Sequence, residues 1–306
     1  MNRRKEPMRL RQTSTPTRAA IAVSGLCLAA IFLGSGGGSA ALSGPATAAA
    51  RGDAHVSQPY TYLKTRGTYR NTTVYGGRSW SVYQPVVLER WIAADGSGRQ
   101  RELSLVPRFV SPADRAEREA AGNPPFLAHG FKTHLSDEFF PAGSFYERQY
   151  GTEMLASMPS DPAELAGWLQ NRVHDPEFGG AGNGFPDSVK TIELATDLLA
   201  NPAATAAQRQ ALVQAEALVP GVDDLGAARD EVGRSGTALG ARSANSGLDT
   251  VYSLIVDPAT AEILASEARM VSPPAGDSGL IQSTAYLREA EVRSRLARPG
   301  RVQRNR

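Results

Sequence analysis

Beyond residue 59 the chain divides into three blocks by the period of its apolar positions. From Tyr60 to Tyr69, and again from Trp80 to Ala93, residues alternate and favour aromatic and β-branched types, which predicts strands. Asp95, Gly96, Ser97 and Gly98 predict a hairpin turn, because glycine supplies the positive φ such turns need. Arg99 to Val106 reads as the return strand, with Leu103 and Leu105 on one face. From Pro107 the alternation breaks, and residues 107–150 read as an irregular, aromatic-rich insertion with a short helix over Ala113–Ala121. Helical spacing resumes at Ser160. Asp161 reads as an N-cap, Pro162 as the first helical position and Glu164 as the closing arm of a capping box, ahead of Leu165, Trp168 and Leu169 on one side. Two more helices are predicted over Ser188–Ala200 and Ala204–Leu218. The last third returns to strand spacing over Leu225–Val232, Thr237–Ser243, Thr250–Val256, Glu262–Val271 and Gly279–Leu287. Strands, helices, strands in that order predict an α+β domain. Its antiparallel sheet packs one face on the central helices, with a half-barrel as its curved form.

The first fifty residues add an address. Arg3, Arg4, Lys5, Arg9, Arg11 and Arg18 precede the uncharged apolar run Ala19–Leu33, which gives way to small residues. A positive flank, an apolar core and a small-residue exit are how a segment is handed to the export machinery, with its basic end left in the cytoplasm. As a helix the run spans about 22 Å, short of a bilayer's roughly 30 Å core, which suits a leader cut before Ala41. Continued to Leu42 it reaches about 36 Å, enough to remain as a single-pass anchor. Both fates fit, so the protein is expected either on the cell membrane with its C-terminal domain outside or secreted. Residues 43–58 read as a flexible linker. Cys27, the only cysteine, lies inside the run, so the exported part has no disulfide, thiolate metal site or cysteine nucleophile.

Charge is zoned. Residues 1–50 carry six basic residues and Glu6, and residues 288–306 carry seven arginines against Glu289 and Glu291, an excess of five in each zone. With a net charge of +2 overall, residues 51–287 must sum to −8. An acidic body argues against nucleic acid as a partner, since phosphate neutralisation dominates that binding. The basic stretch 288–306 reads as a disordered tail. The domain plan is therefore a basic flank with a signal or membrane segment over 1–42, a linker over 43–58, an α+β domain over 59–287, and the tail.

Candidate chemistry is sparse. His129 and His134 with Asp137 and Glu138 form the one cluster whose residue types would suit zinc or acid–base work, although the spacing matches no metal signature. His55 and His174 stand alone. The glycines from Gly179 to Gly184 lack the Lys-Ser/Thr and the preceding strand of a phosphate loop, and no Gly-x-Ser-x-Gly elbow occurs. No cofactor is implied. Tyr62, Trp80, Tyr83 and Trp91 concentrate in the first strands. They read either as ordinary sheet core and cross-strand pairs or as the lining of a site for an apolar ligand such as a lipid or peptide.

Four stretches carry a family resemblance: Glu89 to Gly98, Met158 to Leu169, Leu218 to Val222 and Ile255 to Thr260. In them the chain resembles a family of uncharacterised actinobacterial membrane-associated proteins, often found with genes for extracytoplasmic-function sigma factors. It departs from that family at Ala261, where glycine is usual, and in the length of 107–150. The resemblance implies a tethered extracytoplasmic domain and brings no catalytic residues with it. At the level of fold, strands around a helical centre are similar to the half-barrels of lipoprotein carriers and of sensors that bind anti-sigma factors. These observations converge on a non-enzymatic envelope protein that binds a lipid, peptide or envelope protein, with sigma-factor-linked stress signalling as its setting. The alternatives are an envelope hydrolase centred on His129 and His134, and a structural envelope component.

Overall fold

A computed structural model of the chain describes residues 59–126, 130–144, 152–175 and 184–299. The leader, the linker, His55 and His129 lie outside these residues. No helix among the described residues is long and apolar enough to cross a membrane.

Among the described residues ten strands form one antiparallel sheet. Strand β1 (Tyr60–Tyr75) turns directly into β2 (Arg78–Ala93) through Gly76 and Gly77. Both glycines have positive φ, 58° and 77°, which is the geometry of a two-residue hairpin turn matched to strand twist. The two strands pair without a break from Tyr60 opposite Ala93 to Tyr75 opposite Arg78. The predicted Asp95–Gly98 turn is present, with Gly96 at φ 72° and its N–H donating to Ala93 O, and it leads into β3 (Gly98–Ser104). A short β4 (Arg108–Phe109) pairs with β2 before α1 (Pro112–Ala120). Strand β5 (His134–Phe140) then pairs with β3. The expected irregular stretch 107–150 therefore contains a sheet strand. Its long-range pairing with β3 decides its structure, and no local period announces it.

The helices follow as α2 (Thr152–Ser157), α3 (Pro162–Arg172), α4 (Asp187–Leu199) and α5 (Ala206–Glu216). Asp161 caps α3, accepting the N–H groups of Ala163 and Glu164 at 3.0 Å each. Thr205 and Gln208 form a two-armed capping box at the start of α5. The last strands are β6 (Val222–Arg229), β7 (Ser235–Ser243), β8 (Thr250–Val256), β9 (Ile263–Met270) and β10 (Leu280–Val292). Across the sheet the order is β5-β3-β2-β1-β10-β9-β8-β7-β6, so the first and last long strands meet in the middle. The α+β class and the antiparallel sheet are as read from the sequence.

Alternation gives the sheet two faces. One carries Leu239, Ala241, Tyr252, Leu254 and Ala268, which pack with Leu165, Leu169, Val189, Ile192, Leu198 and Leu212 of α3–α5 into the main core. We call this the helix face and the other the far face.

The predicted disordered tail needs correction. Residues 288–292 complete β10, and the segment that follows is held against the far face as far as Pro299. Trp91 Nε1 donates to Ala297 O at 2.6 Å, and Arg298 reaches Glu89 at 2.5 Å. The Arg295 guanidinium lies 4.9 Å from the centre of the Phe139 ring. Apolar cover over Trp91 and charge pairing outweigh the entropy cost of ordering this stretch.

Candidate functional site

The residues singled out in the sequence do not converge. Trp80 lies on the helix face and is 1% exposed. Tyr62, Tyr83 and Trp91 lie on the far face, but Tyr83 and Trp91 are eight steps apart along β2, about 27 Å. Tyr62 and Trp91 are cross-strand partners with ring centres 5.1 Å apart, 2% and 1% exposed. Tyr62 donates its hydroxyl to Glu89 at 2.6 Å, and burial together with this bond pushes its ionisation upward. Tyr83 is bonded to Ser278 at 2.8 Å. The geometry is that of sheet core and cross-strand pairing.

The histidine cluster is also divided. On β5, His134 and Glu138 share the helix-face parity, whereas Asp137 faces the other way opposite Arg101. Arg99 holds Asp137 in a two-pronged pair at 2.7 and 2.5 Å, which keeps that carboxyl below its usual range. Among the described residues no group of three or more His, Cys, Asp or Glu is placed to hold a metal. His174 sits at the end of α3 beside Asp187, 3.0 Å away.

The unexpected feature is a polar row across the far face. Thr68, Ser283, Glu267, Ser253 and Gly240 stand opposite one another in sequence across β1, β10, β9, β8 and β7. Ser283 is 1% exposed, Thr68 and Glu267 are 7% exposed, and Ser253 is half-buried. Burying hydroxyls and a carboxylate in mid-sheet opposes the usual sorting of polar groups, and each such group needs a partner. Most have one. Glu231, in the β6–β7 loop, accepts from Ser283 at 2.6 Å and from Thr68 at 3.3 Å. Arg269 donates to Glu267 Oε2 at 2.7 Å. Glu267 Oε1 has none.

The row is framed on three sides. Beyond it on one side lies an apolar patch of Ala238, Ile255, Leu264 and Ala265. On the other side are Arg269, Arg70 and Arg242, with Arg70 paired to Asp277 at 2.5 Å and Arg242 paired to Asp249. Above it passes the loop 230–234. Asp230, whose side chain is fully buried, accepts from the N–H groups of Val232 and Arg234 and from Arg234 Nε at 2.6 Å. Arg234 in turn donates to Leu264 O and Tyr286 O, both at 2.7 Å. In a flat sheet β7 and β10 would lie about 14 Å apart. That this loop touches β9, β10 and β1 means that it arches over the far face. Gly236 lets it approach: a Cβ there would sit 2.5 Å from Val256 O.

Sequence reasoning missed this row for a physical reason. Each strand shows one unremarkable Ser, Thr or Glu, and only the register brings them into line. The available signal was parity, since Ser253 and Glu267 interrupt the apolar strands β8 and β9. Comparison of the chain with protein-family models, with curated proteins and with solved structures finds no match.

Proposed function

We propose that the protein is a non-enzymatic envelope protein that works outside the cytoplasm and binds a hydroxyl-rich, saccharide-like ligand on the far face of its sheet. The observation that carries this is Glu267, a carboxylate more than nine-tenths buried with one oxygen unpaired, in line with Ser253, Ser283 and Thr68. A buried acceptor without a partner costs about 1–3 kcal/mol, a cost that a ligand hydroxyl would remove on binding. Neighbouring strands are about 4.8 Å apart, so the unpaired Glu267 oxygen and the half-buried Ser253 stand about one strand spacing from each other. The sheet is read as a half-barrel curled toward the far face, which the arching 230–234 loop supports. The helix face is filled by the main core, so a polar ligand replaces the apolar one first considered. Support for the extracytoplasmic setting is in the sequence: the basic apolar leader and the family resemblance, on which the link to stress signalling also rests.

Native mass spectrometry of protein purified from its own cells, followed by release and sugar analysis of any bound molecule, tests the reading. A hydroxyl-rich ligand should be carried by the wild type and reduced at least about tenfold in Glu267→Gln, which swaps a charged acceptor for a neutral one of the same shape. Ser253→Ala, at a half-buried position, should weaken retention without lowering the melting temperature. Recovery of an apolar lipid, or of no ligand from the wild type, would sink the proposal.

A further inference from the structure

A second surface of the sheet stands out by its charge. At the Tyr60 end of the sheet, the far face and the segment lying on it hold Lys64, Arg99, Arg101, Arg288, Arg295 and Arg298 against Glu89 and Asp137, an excess of four positive charges. The helix-face parity of the same rows holds Arg90 with Glu138, Glu289 and Glu291, so alternation sorts the charge by face. Three of these cations, Arg288, Arg295 and Arg298, come from the basic stretch 288–306, which β10 and the held segment bring onto this face; the charges supplied by residues 51–287 here sum to +1 although that body as a whole sums to −8. Beside it, large apolar side chains are exposed: Phe139 at 55% and Leu135 at 45% on the edge strand β5, and Leu296 at 69%.

We infer that this face docks onto an anionic lipid bilayer. Cations interleaved with exposed apolar side chains are the pattern of interfacial binding, in which the charges meet headgroup phosphates and the apolar groups enter the boundary layer. Chain geometry agrees. Tyr60 lies in the last row of the sheet, paired with Ala93 and Val292, so the chain leading back to the apolar run leaves from this end. A flexible stretch of the length of residues 43–58 has a root-mean-square span of about 22 Å, which holds the cationic face close to the surface in which Ala19–Leu42 would sit. The inference rests on the envelope location proposed above, but not on the ligand row.

The full chain, added to vesicles of phosphatidylcholine alone and of phosphatidylcholine mixed with phosphatidylglycerol, tests it by hydrogen exchange. Segments 134–140 and 293–299 should gain protection on the mixed vesicles only, and added salt should remove the gain. The six basic residues ahead of the apolar run also favour the mixed vesicles, so the decisive reading is at these two segments and in the variant below, which leaves that basic flank intact. The triple variant Arg101→Gln, Arg288→Gln, Arg295→Gln should need on the order of a hundredfold more anionic lipid for the same protection, about fivefold per charge. Equal protection on both vesicles, or no loss with salt, overturns the inference. Equal protection by soluble polyphosphate would reassign the surface to an anionic polymer. Failure here with an intact Glu267-dependent ligand would leave the proposed function standing.

Discussion

Glu216 shows what one buried group can impose. It lies at the end of α5 with no exposed surface, its Oε1 2.9 Å from the Thr191 hydroxyl and its Oε2 without a partner. Burial pushes its ionisation from 4.5 up to about 8, so the folded protein keeps the proton that the unfolded chain releases above 4.5. Between those two values the folded state binds more protons, and stability falls as pH rises, by up to about 1.4 kcal/mol per pH unit. Glu193 on α4, pushed to about 7 by burial and by Asp197, acts in the same sense. Glu216→Gln should therefore melt higher than the wild type by about 5 °C or more at about pH 8, with the gap closing toward about pH 5. A pH-independent difference in melting temperature would show that Glu216 does not carry this charge. Nothing in the sequence marks Glu216 as buried, because the glutamate at the last turn of an amphipathic helix reads as solvent-facing. Its burial depends on where α4 lands.

Local chemistry makes α1, α3, α4 and α5 legible, whereas α2 carries no such signal and goes unread with the rest. The cap at Asp161 and the proline after it placed α3 correctly, and Thr250–Val256 was found as β8 to the residue. The Gly76-Gly77 turn was legible in principle but lay in a gap between two predicted strands. Strand β5 and the ordered stretch 293–299 were not legible, since each is held by partners far away in sequence. The held stretch gives a test of that dependence. Removing residues 293–306 takes Ala297 O from the Trp91 indole and Arg298 from Glu89, leaving a buried donor and a buried acid short of partners. We expect a loss of about 2–4 kcal/mol in stability and a red-shifted tryptophan emission as Trp91 meets water. Unchanged emission would mean that this segment is not what shields the ring.

At the scale of the whole molecule, the sheet is two halves joined along one seam. Strands β5, β3, β2 and β1 form one half and β10 to β6 the other, and β1 pairs with β10 from Tyr60 opposite Val292 to Tyr69 opposite Gln282. The Arg70–Asp277 pair and the Glu231–Thr68 bond cross the same seam. A chain ending at Ser278 should lose cooperative unfolding in both halves and bind apolar dyes, whereas two independent domains would leave one melting transition intact. The ladder order also sets a schedule. As the chain is made, β1 and β2 can close their hairpin within about 1–10 μs of leaving the ribosome. The other edge of β1 must wait until residues 76–279 have been made, about ten to forty seconds at ordinary synthesis rates. For that interval a sixteen-residue strand presents unpaired backbone to every other chain nearby. Lys64, Arg66 and Arg70 lie along that strand. Positive side chains on a bare edge repel copies of themselves, so these residues guard the nascent chain before they serve the finished one.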